Sequence, residues 1–468
     1  MTVTAPAPNG PRPGSAYFAP GVRLAKLAAT LQPQGEAGDV LPPDIHADVV
    51  RAEVTLTNSG LATYSLTLNN AYLSTAADRS SDDPTGGSAG PIDARERLDP
   101  RRTPYWPRFK YDDFAVLGFG DRLRVDFRYW PDRAASAAPV TADPQRWVPM
   151  VAGPITDMRF TFAAGQGAQV VISGEDDLNT LKDRTERRIE LDRLSETSMV
   201  RRVLQRAHYP ISSPADPLVD HPSFATNDSQ GLNDAVQKGQ SYLEFIQKLA
   251  ERLDYEVCLE FASLDRTNAP LVLRFEPYRG RANPIERQDV IFRLDREQSL
   301  LEFAPTLKVV DQFTAAEVRG RHRDPHTPRE VRGVALGAIV QDELHVDPAV
   351  DGTLTPGPLV RAHFLPGREN RAGPPNVSNL DDTRATWYAQ TLLRKKAREL
   401  LTIEGTAIGL PRLRPGRHVE IRGYRPPFNG FYYVTRTVHT LGSDGLRTRF
   451  SASRPGMELP PYREGSAR

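Results

Sequence analysis

Cysteine and long apolar runs are almost missing from this sequence. Its 468 residues contain one cysteine, Cys258, so no disulfide can form within the chain, which is compatible with a reducing cytoplasm. No run of about 18 apolar residues occurs, and we therefore predict no transmembrane helix and no membrane insertion. Residues 1–14 lack both a basic start and an apolar core, so we expect no signal peptide.

An excess of charge of one sign is also lacking. Lys and Arg total 60 and Asp and Glu total 59, which leaves a formal net charge of +1. This balance gives no long-range attraction to DNA or to an anionic membrane, and we predict no specific nucleic-acid binding. With 39% hydrophobic and 25% charged residues, the composition fits a soluble globular protein of roughly three domains.

The sequence does contain a repeated strand pattern. Residues 413–454 predict three antiparallel strands separated by Gly-containing turns, and residues 120–173 predict the same arrangement. In both copies two glycines lie 12 residues apart, Gly153 and Gly165 in one and Gly430 and Gly442 in the other. The match favours a duplicated β-barrel or β-sandwich module. The alternative, that all strand–turn–strand sequences look alike, stays open at this level.

Other stretches predict the elements around this repeat from periodicity and capping residues. They are a hairpin at 49–56 and 63–69, an amphipathic helix from Ser195, a helix over 242–253 behind a capping box at Ser241 and Glu244, strands over 256–261 and 271–275, and a long helix over 383–401.

The sequence thus predicts an α+β protein, mainly β, with two similar antiparallel β-barrel modules and an inserted small α+β domain. The expected domains are an N-terminal extension (1–45), a first β-barrel domain (46–175) with a long loop at 74–107, an α+β middle domain (176–310), a second β-barrel domain (311–455) and a C-terminal tail (456–468). We expect residues 312–320 to begin the second barrel, which an insertion (321–383) and the long helix (383–401) then interrupt.

Histidine and aspartate residues cluster in the 321–383 insertion. A metal site would need three or four of them to converge on one ion, and the Asp-Pro step argues against a helical His pair, so a solvated loop is the favoured interpretation. Residues 350–354 resemble part of a phosphatase aspartate loop, but Ala349 occupies the position of the nucleophile. The clustered histidine and aspartate residues considered as metal ligands are His322, Asp324, His326, His345 and His363.

Two further groups could carry chemistry or bind a ligand. The carboxylates of Glu175, Asp176 and Asp177 could act as an acid–base pair, although capping of a helix start is the favoured interpretation. An aromatic cluster could form a ligand platform, although packing at a barrel rim is favoured; it comprises Tyr424, Phe428, Phe431, Tyr432 and Tyr433. No GxSxG, GxxxxGK[ST] or GxGxxG motif occurs in the required context. We therefore predict no catalytic, cofactor-binding or metal-binding residues, no cofactor and no enzymatic activity.

Several stretches resemble the phage tail baseplate hub family, which includes the late-control D proteins and the N-terminal hub part of VgrG spike proteins. The most specific is the closing segment, where "L-x-P-G-x-x-V-x-I-x-G" leads to "G-x-Y-x-V-x-x-V-x-H". Together the similar stretches span residues 50–455; they are 120–127, 151–157, 174–184, 241–255 and 413–439.

The sequence departs from this family pattern in places. Asp254 stands where the family usually has Gly, Val151 and Ala152 replace a usual Phe, and the insertions at 74–107 and 321–383 are long. The OB-fold and β-helix needle of the fused spikes are absent, so the resemblance implies a needle on a separate chain.

The resemblance implies a structural protein of a contractile injection machine. It implies a homotrimer around an axial channel that joins a sixfold inner tube, or its initiator, to a threefold spike, with other baseplate proteins as further partners. It also implies assembly in the cytoplasm and incorporation into a phage tail or tail-like particle. Two alternatives stay open. One is a baseplate-associated cell-wall hydrolase, for which Asp324 and Asp347 are the candidate residues; the other is a sugar-binding β-sandwich that uses the aromatic residues at 424–433.

Overall fold

The computed structural model describes most of the predicted strands and helices. The described residues are 20–32, 34–71, 109–112, 114–128, 147–162, 167–185, 189–190, 195–209, 236–237, 240–278, 292–308, 312–313, 315–322, 330–336, 371–372, 377–380, 382–424 and 428–456. The expected loop at 74–107, most of the 321–383 insertion and nearly all of the C-terminal tail lie outside them.

The elements are numbered here in chain order. The first part contains β1 (Gly21–Leu27), β2 (Asp39–Val40), α1 (Pro43–Asp48), β3 (Val49–Thr57), β4 (Thr63–Asn69), β5 (Arg122–Arg128), β6 (Val148–Thr161) and β7 (Gln169–Glu175). The middle part contains α2 (Asn179–Lys182), β8 (Ile189–Glu190), α3 (Glu196–Arg206), β9 (Val236–Gln237), α4 (Tyr242–Leu253), β10 (Tyr255–Phe261) and β11 (Leu271–Pro277). The last part contains β12 (Phe292–Asp295), β13 (Leu300–Leu307), β14 (Ala315–His322), β15 (Glu330–Leu336), β16 (Arg371–Ala372), β17 (Val377–Leu380), α5 (Asp382–Arg398), β18 (Leu401–Ile408), β19 (His418–Arg422), β20 (Gly430–Gly442) and β21 (Gly445–Arg454).

One sheet of 13 strands dominates the fold, in the order β13-β18-β21-β20-β3-β4-β7-β6-β5-β1-β2, with β19 on β20 and β12 on β19. Its pairings are antiparallel except for β12 with β19. The strands form because apolar and polar residues alternate, as in β4, where Tyr64, Leu66 and Leu68 are buried and their neighbours are not. The prediction of a mainly β protein with an antiparallel architecture is confirmed.

The sheet consists of two modules with the same strand order. The first module is β3-β4-β7-β6-β5, and the second module is β13-β18-β21-β20-β19. Each has its own apolar core, with Leu66 and Val125 in the first and Ile403 and Phe450 in the second. The predicted duplication is therefore present, but among the described strands no pairing closes either module into a barrel.

Matching irregularities fix which residues of the two modules are equivalent. The first strand of each module shifts register near its start, at Val49/Arg51 in β3 and at Leu300/Glu302 in β13. The long strands β6 and β20 shift in their middle, at Ile155/Asp157 and at Val434/Arg436. Because a β-bulge is a specific local feature, its recurrence at the same places supports descent of the two modules from one unit.

This equivalence corrects the register that the glycine spacing indicates. Pro154 is the last residue of β6 that pairs with β5. Its counterpart is Tyr433, which is the last residue of β20 that pairs with β19. Gly153 is therefore equivalent to Tyr432 and not to Gly430. The equal glycine spacing is coincidental, since bulges and partner strands, not single glycines, set the register.

Two predicted domain boundaries differ from the structure. The prediction that residues 1–45 form an extension is wrong for the described part of that segment, because β1 pairs with β5 along its whole length and Leu24 is fully buried. Residues 312–320 do not begin the second module, because β14 lies in a separate four-stranded sheet. The second module begins earlier, with β12 and β13, which pair with β19 and β18.

The four-stranded sheet, β14 to β17, packs against the long helix α5. Val318 and Val331 contact Ala385 and Ala389 of the helix in one core. Small residues permit this close approach: a Cβ on Gly333 would lie 2.0 Å from the backbone of Ala385.

The middle part contains the predicted α+β unit. Ser241 and Glu244 form the predicted capping box, and the apolar face of α4 packs with α3, β10 and β11. Phe245 and Ile246 of α4 and Phe275 of β11 belong to this core.

Asp254 ends α4 in the left-handed conformation, with φ 58° and ψ 48°. Gly is favoured there, and Asp tolerates the conformation better than most residues. Its carboxylate accepts two hydrogen bonds from the Arg398 guanidinium at 2.6 and 2.8 Å, and both groups are buried. Arg398 also stacks 3.4 Å from the Tyr278 ring centre. The residue that departs from the family pattern therefore joins α4 to α5.

We expect Asp254→Gly to lower the stability of the protein although Gly suits the backbone. The gain from relieved left-handed strain is about 1 kcal/mol, whereas loss of one partner of a buried ion pair costs about 3–5 kcal/mol. Asp254→Asn, which tolerates the same backbone and retains an oxygen acceptor, should have an intermediate effect. Urea unfolding midpoints of the three proteins test this order; a glycine variant as stable as the native protein contradicts it.

Candidate assembly interface

The acidic residues at 175–177 have structural partners. Asp177 accepts hydrogen bonds from Arg122 at 2.8 and 2.6 Å, and Arg122 also binds Glu36 at 2.9 Å. Asp176 accepts the backbone N–H groups of Ala62 and Leu178 at 2.9 and 3.1 Å. Burial raises the pKa of Asp176 to about 8 and also raises the pKa of Asp177. With Asp176 and Asp177 almost fully buried, these groups tie β4 and β5 to the turn after β7 and offer no open acid–base site.

The aromatic residues at 424–433 are mostly packed. Phe431, Tyr432 and Tyr433 are buried, and the Tyr432 hydroxyl donates to the Phe428 carbonyl at 2.8 Å. The Tyr424 ring centre lies 4.6 Å from that of Phe303. These contacts favour the packing interpretation over an exposed ligand platform.

The predicted histidine cluster falls almost wholly outside the described residues. His322 is the last residue of β14, while Asp324, His326, His345, Asp347, His363 and the stretch 350–354 lie outside the description. Among the residues that are described, no group of three or more His, Cys, Asp or Glu side chains could hold a metal ion. None of the described helices has the length and apolarity needed to span a membrane.

The two modules meet where β3 pairs with β20. The register runs from Arg436 opposite Thr57 to Leu441 opposite Ala52. The middle domain joins at the same place, because the buried Glu256 carboxylate accepts hydrogen bonds from Asn58 at 2.6 Å and from Tyr433 at 2.5 Å. One end of this junction therefore holds three parts of the chain together.

Two buried basic side chains lie near this junction. Arg414 donates to the carbonyls of Pro149 and Met150 in β6, and burial lowers its pKa to about 10, so it stays charged at neutral pH. His439, opposite Val54, has its pKa lowered to about 3 by burial and by the charge of Arg414. Its Nδ1 lies 3.0 Å from the Thr448 hydroxyl. The junction therefore holds a neutral histidine beside a fixed positive charge.

Exposed apolar residues gather at two strand edges that the sequence reasoning missed. At the end of β6, Phe160 and Phe162 stack at 6.3 Å between ring centres, and Phe114 packs edge-on against Phe160 at 6.1 Å. Phe162 is 57% exposed. On β13, Leu301 and Leu307 are 48% and 40% exposed. The alternation of apolar and polar residues at 157–162 was the available sequence signal, because it predicts a strand with one apolar face.

Comparison with solved structures identifies the fold. The tail protein from Neisseria meningitidis MC58 matches with a TM-score of 0.53 at 10% identity, over 93% of this chain and 97% of that chain. This chain has the fold of a tail protein. Weaker matches are the 43 kDa tail protein of prophage MuSo2 from Shewanella oneidensis (TM-score 0.49, 10% identity, 93% and 99% of the two chains) and E. coli c3393, a component of the type VI secretion system (0.43, 11%, 89% and 74%). No protein-family model and no curated protein matches the sequence.

The tail-protein fold confirms the sequence resemblance at the level of the architecture. In this chain Asp176, Asp177 and Tyr432, which are among the candidate chemical groups, make structural contacts. The described part also exposes apolar side chains at the edges of β6 and β13.

We expect His439 to make the protein sensitive to acid. Its folded pKa of about 3 lies below the usual 6.5, so the folded state binds fewer protons than the unfolded chain between these values. Its contribution is complete above pH 6.5 and is lost as the pH falls toward 3, at up to about 1.4 kcal/mol per pH unit. The measurement is the urea midpoint of native protein and His439→Asn from pH 7.5 to 4. The difference between the two should shift in favour of the variant on acidification; parallel curves contradict the assignment.

Proposed function

We propose that this chain is the structural hub of a contractile, tail-like injection machine and a member of the baseplate hub family. In this proposal three copies form a ring around an axial channel. The observation that carries it is the presence of two equivalent modules, with the same strand order and the same bulges, in a chain with the fold of a tail protein.

Symmetry gives the duplication a use. A closed ring of three chains with two similar modules each presents six similar units, although its true symmetry is threefold. Such a ring fits a sixfold inner tube, or the protein that initiates it, on one face and a threefold spike on the other. The modules differ in detail, since β1 pairs with β5 antiparallel whereas β12 pairs with β19 parallel. That difference leaves the ring a threefold character that a spike can recognise.

The proposal also names partners and location. Besides tube and spike, other baseplate proteins would contact the outer surface. The chain would assemble in the cytoplasm and end in a phage tail or tail-like particle. The packed state of the aromatic residues at 424–433 favours this role over sugar binding.

The mass of the purified protein tests the hub. We expect mass photometry to show a species of three times the 51.9 kDa chain, and electron micrographs down its axis to show six lobes around a channel. Incubation with the trimeric spike protein of the same machine should add mass to this ring. A protein that stays at the mass of one chain, with and without the spike, refutes the proposal.

A further inference from the structure

Two strand edges of the main sheet face no other strand in the described part of the chain. Beyond Pro154, β6 pairs along one edge with β7, and its other edge from Asp157 to Phe162 faces no described strand. The strand β13 pairs along one edge with β18, and its other edge likewise faces no described strand. An open strand edge presents unpaired backbone donors and acceptors and pairs readily with another strand.

The module equivalence shows what these edges correspond to. The counterpart of β6 is β20, and the counterpart of β13 is β3. Within the chain, β20 and β3 pair with each other through the edges equivalent to the two open ones. The chain therefore makes this contact once internally and carries both halves of a second one, which are separated by the intervening strands of the sheet.

We propose that β6 of one copy pairs antiparallel with β13 of a second copy, in the manner of the internal β20–β3 junction. The contact is head-to-tail, since each copy offers a different edge to each neighbour, and such contacts form rings when the rotation closes. The inference rests on the proposed hub for the number of copies in the ring; the pairing itself rests on the two edges.

The internal junction also supplies the register of the new contact. The paired residues of the internal junction run from Arg436 with Thr57 to Leu441 with Ala52. When each is replaced by its equivalent on the open edges, Asp157 lies opposite Lys308 and Phe162 lies opposite Phe303. On one face it pairs apolar residues with apolar residues: Met158 with Leu307, Phe160 with Pro305, and Phe162 with Phe303.

The other face receives polar and small residues. It pairs Asp157 with Lys308, Arg159 with Thr306, and Thr161 with Ala304. The first of these pairs brings opposite charges together. A shift by one residue would turn the apolar side chains of one strand onto the polar face of the other, whereas the transferred register keeps both faces in agreement. It would also cover Phe162 and Leu307, which are 57% and 40% exposed in the single chain.

Pro305 limits the strength of the contact. Asn58 donates its N–H to the Thr435 carbonyl. Every second residue of a strand directs its N–H to the same side, so Val54, four residues earlier, also directs its N–H toward β20. Pro305 is the counterpart of Val54, and its missing N–H faces the open edge. The proline therefore costs the chain no internal hydrogen bond, and it removes one donor from the contact between copies. A weakened edge suits a protein that must assemble in one register without forming indefinite sheets.

Disulfide trapping in the full chain tests the register. Thr161 and Ala304 are exposed and would form a pair without mutual hydrogen bonds, with Cα atoms about 4.5 Å apart, within the range of a disulfide. We expect Thr161→Cys with Ala304→Cys to give covalently linked copies under mild oxidation. The matched control is Thr161→Cys with Thr306→Cys, two residues out of register, which should link several-fold less. The buried Cys258 is common to both variants.

The outcomes separate this inference from the hub itself. Linked oligomers from the matched pair alone support the β6–β13 contact. Equal linking of both pairs, or none, overturns it, provided that circular dichroism shows folded variants. Mass photometry before oxidation tests the copy number separately: a threefold species without in-register linking leaves the hub standing and refutes this contact, whereas in-register linking in another copy number does the reverse.

Discussion

The antiparallel pairing of β3 with β20 is the contact on which the rest of the structure depends. It joins strands almost 400 residues apart in the chain and converts two modules into one sheet of 13 strands. Backbone donors and acceptors in a sheet interior must be paired, so this ladder could not be replaced by side-chain packing alone. Glu256 adds the middle domain to the same point through Asn58 and Tyr433. The relative positions of the modules and the middle domain therefore depend on a few buried pairs around one strand junction.

A duplicated module that pairs with itself once has a geometric consequence. The edges equivalent to those of the internal junction lie on β6 in the first module and on β13 in the second. A self-contact of this kind is directional, and a directional contact either closes into a ring or grows without limit. Closure requires that the inserted elements do not obstruct the neighbour. The middle domain lies between the two modules in the chain and the α5 layer lies between β13 and β18, and the two pack on each other through Asp254 and Arg398.

The side chains that first suggest a chemical role make structural hydrogen bonds instead. Asp176 and Asp177 are buried against backbone N–H groups and Arg122, and Tyr432 donates to the carbonyl of Phe428. Burying a carboxyl group is costly unless it is hydrogen-bonded, and here each has hydrogen-bonding partners. The same applies to Arg414, whose guanidinium donates to two carbonyls of β6. These polar contacts hold together strands and turns that are distant in the sequence.

The sequence by itself determined the type of each element wherever local chemistry decides it. The capping box at Ser241 and Glu244 defined a helix, and the alternation through Tyr64, Leu66 and Leu68 defined a strand, because both signals act over a few residues. It also revealed that a module is repeated. The sequence did not determine which strands pair with each other. Alternation at 315–322 does not say that the strand joins a separate sheet, and no local signal places β1 beside β5 or β13 beside β18. The tertiary structure decided these pairings, the register that overruled the glycine spacing, and the edges left open, because each depends on backbone hydrogen bonds between residues far apart in the chain.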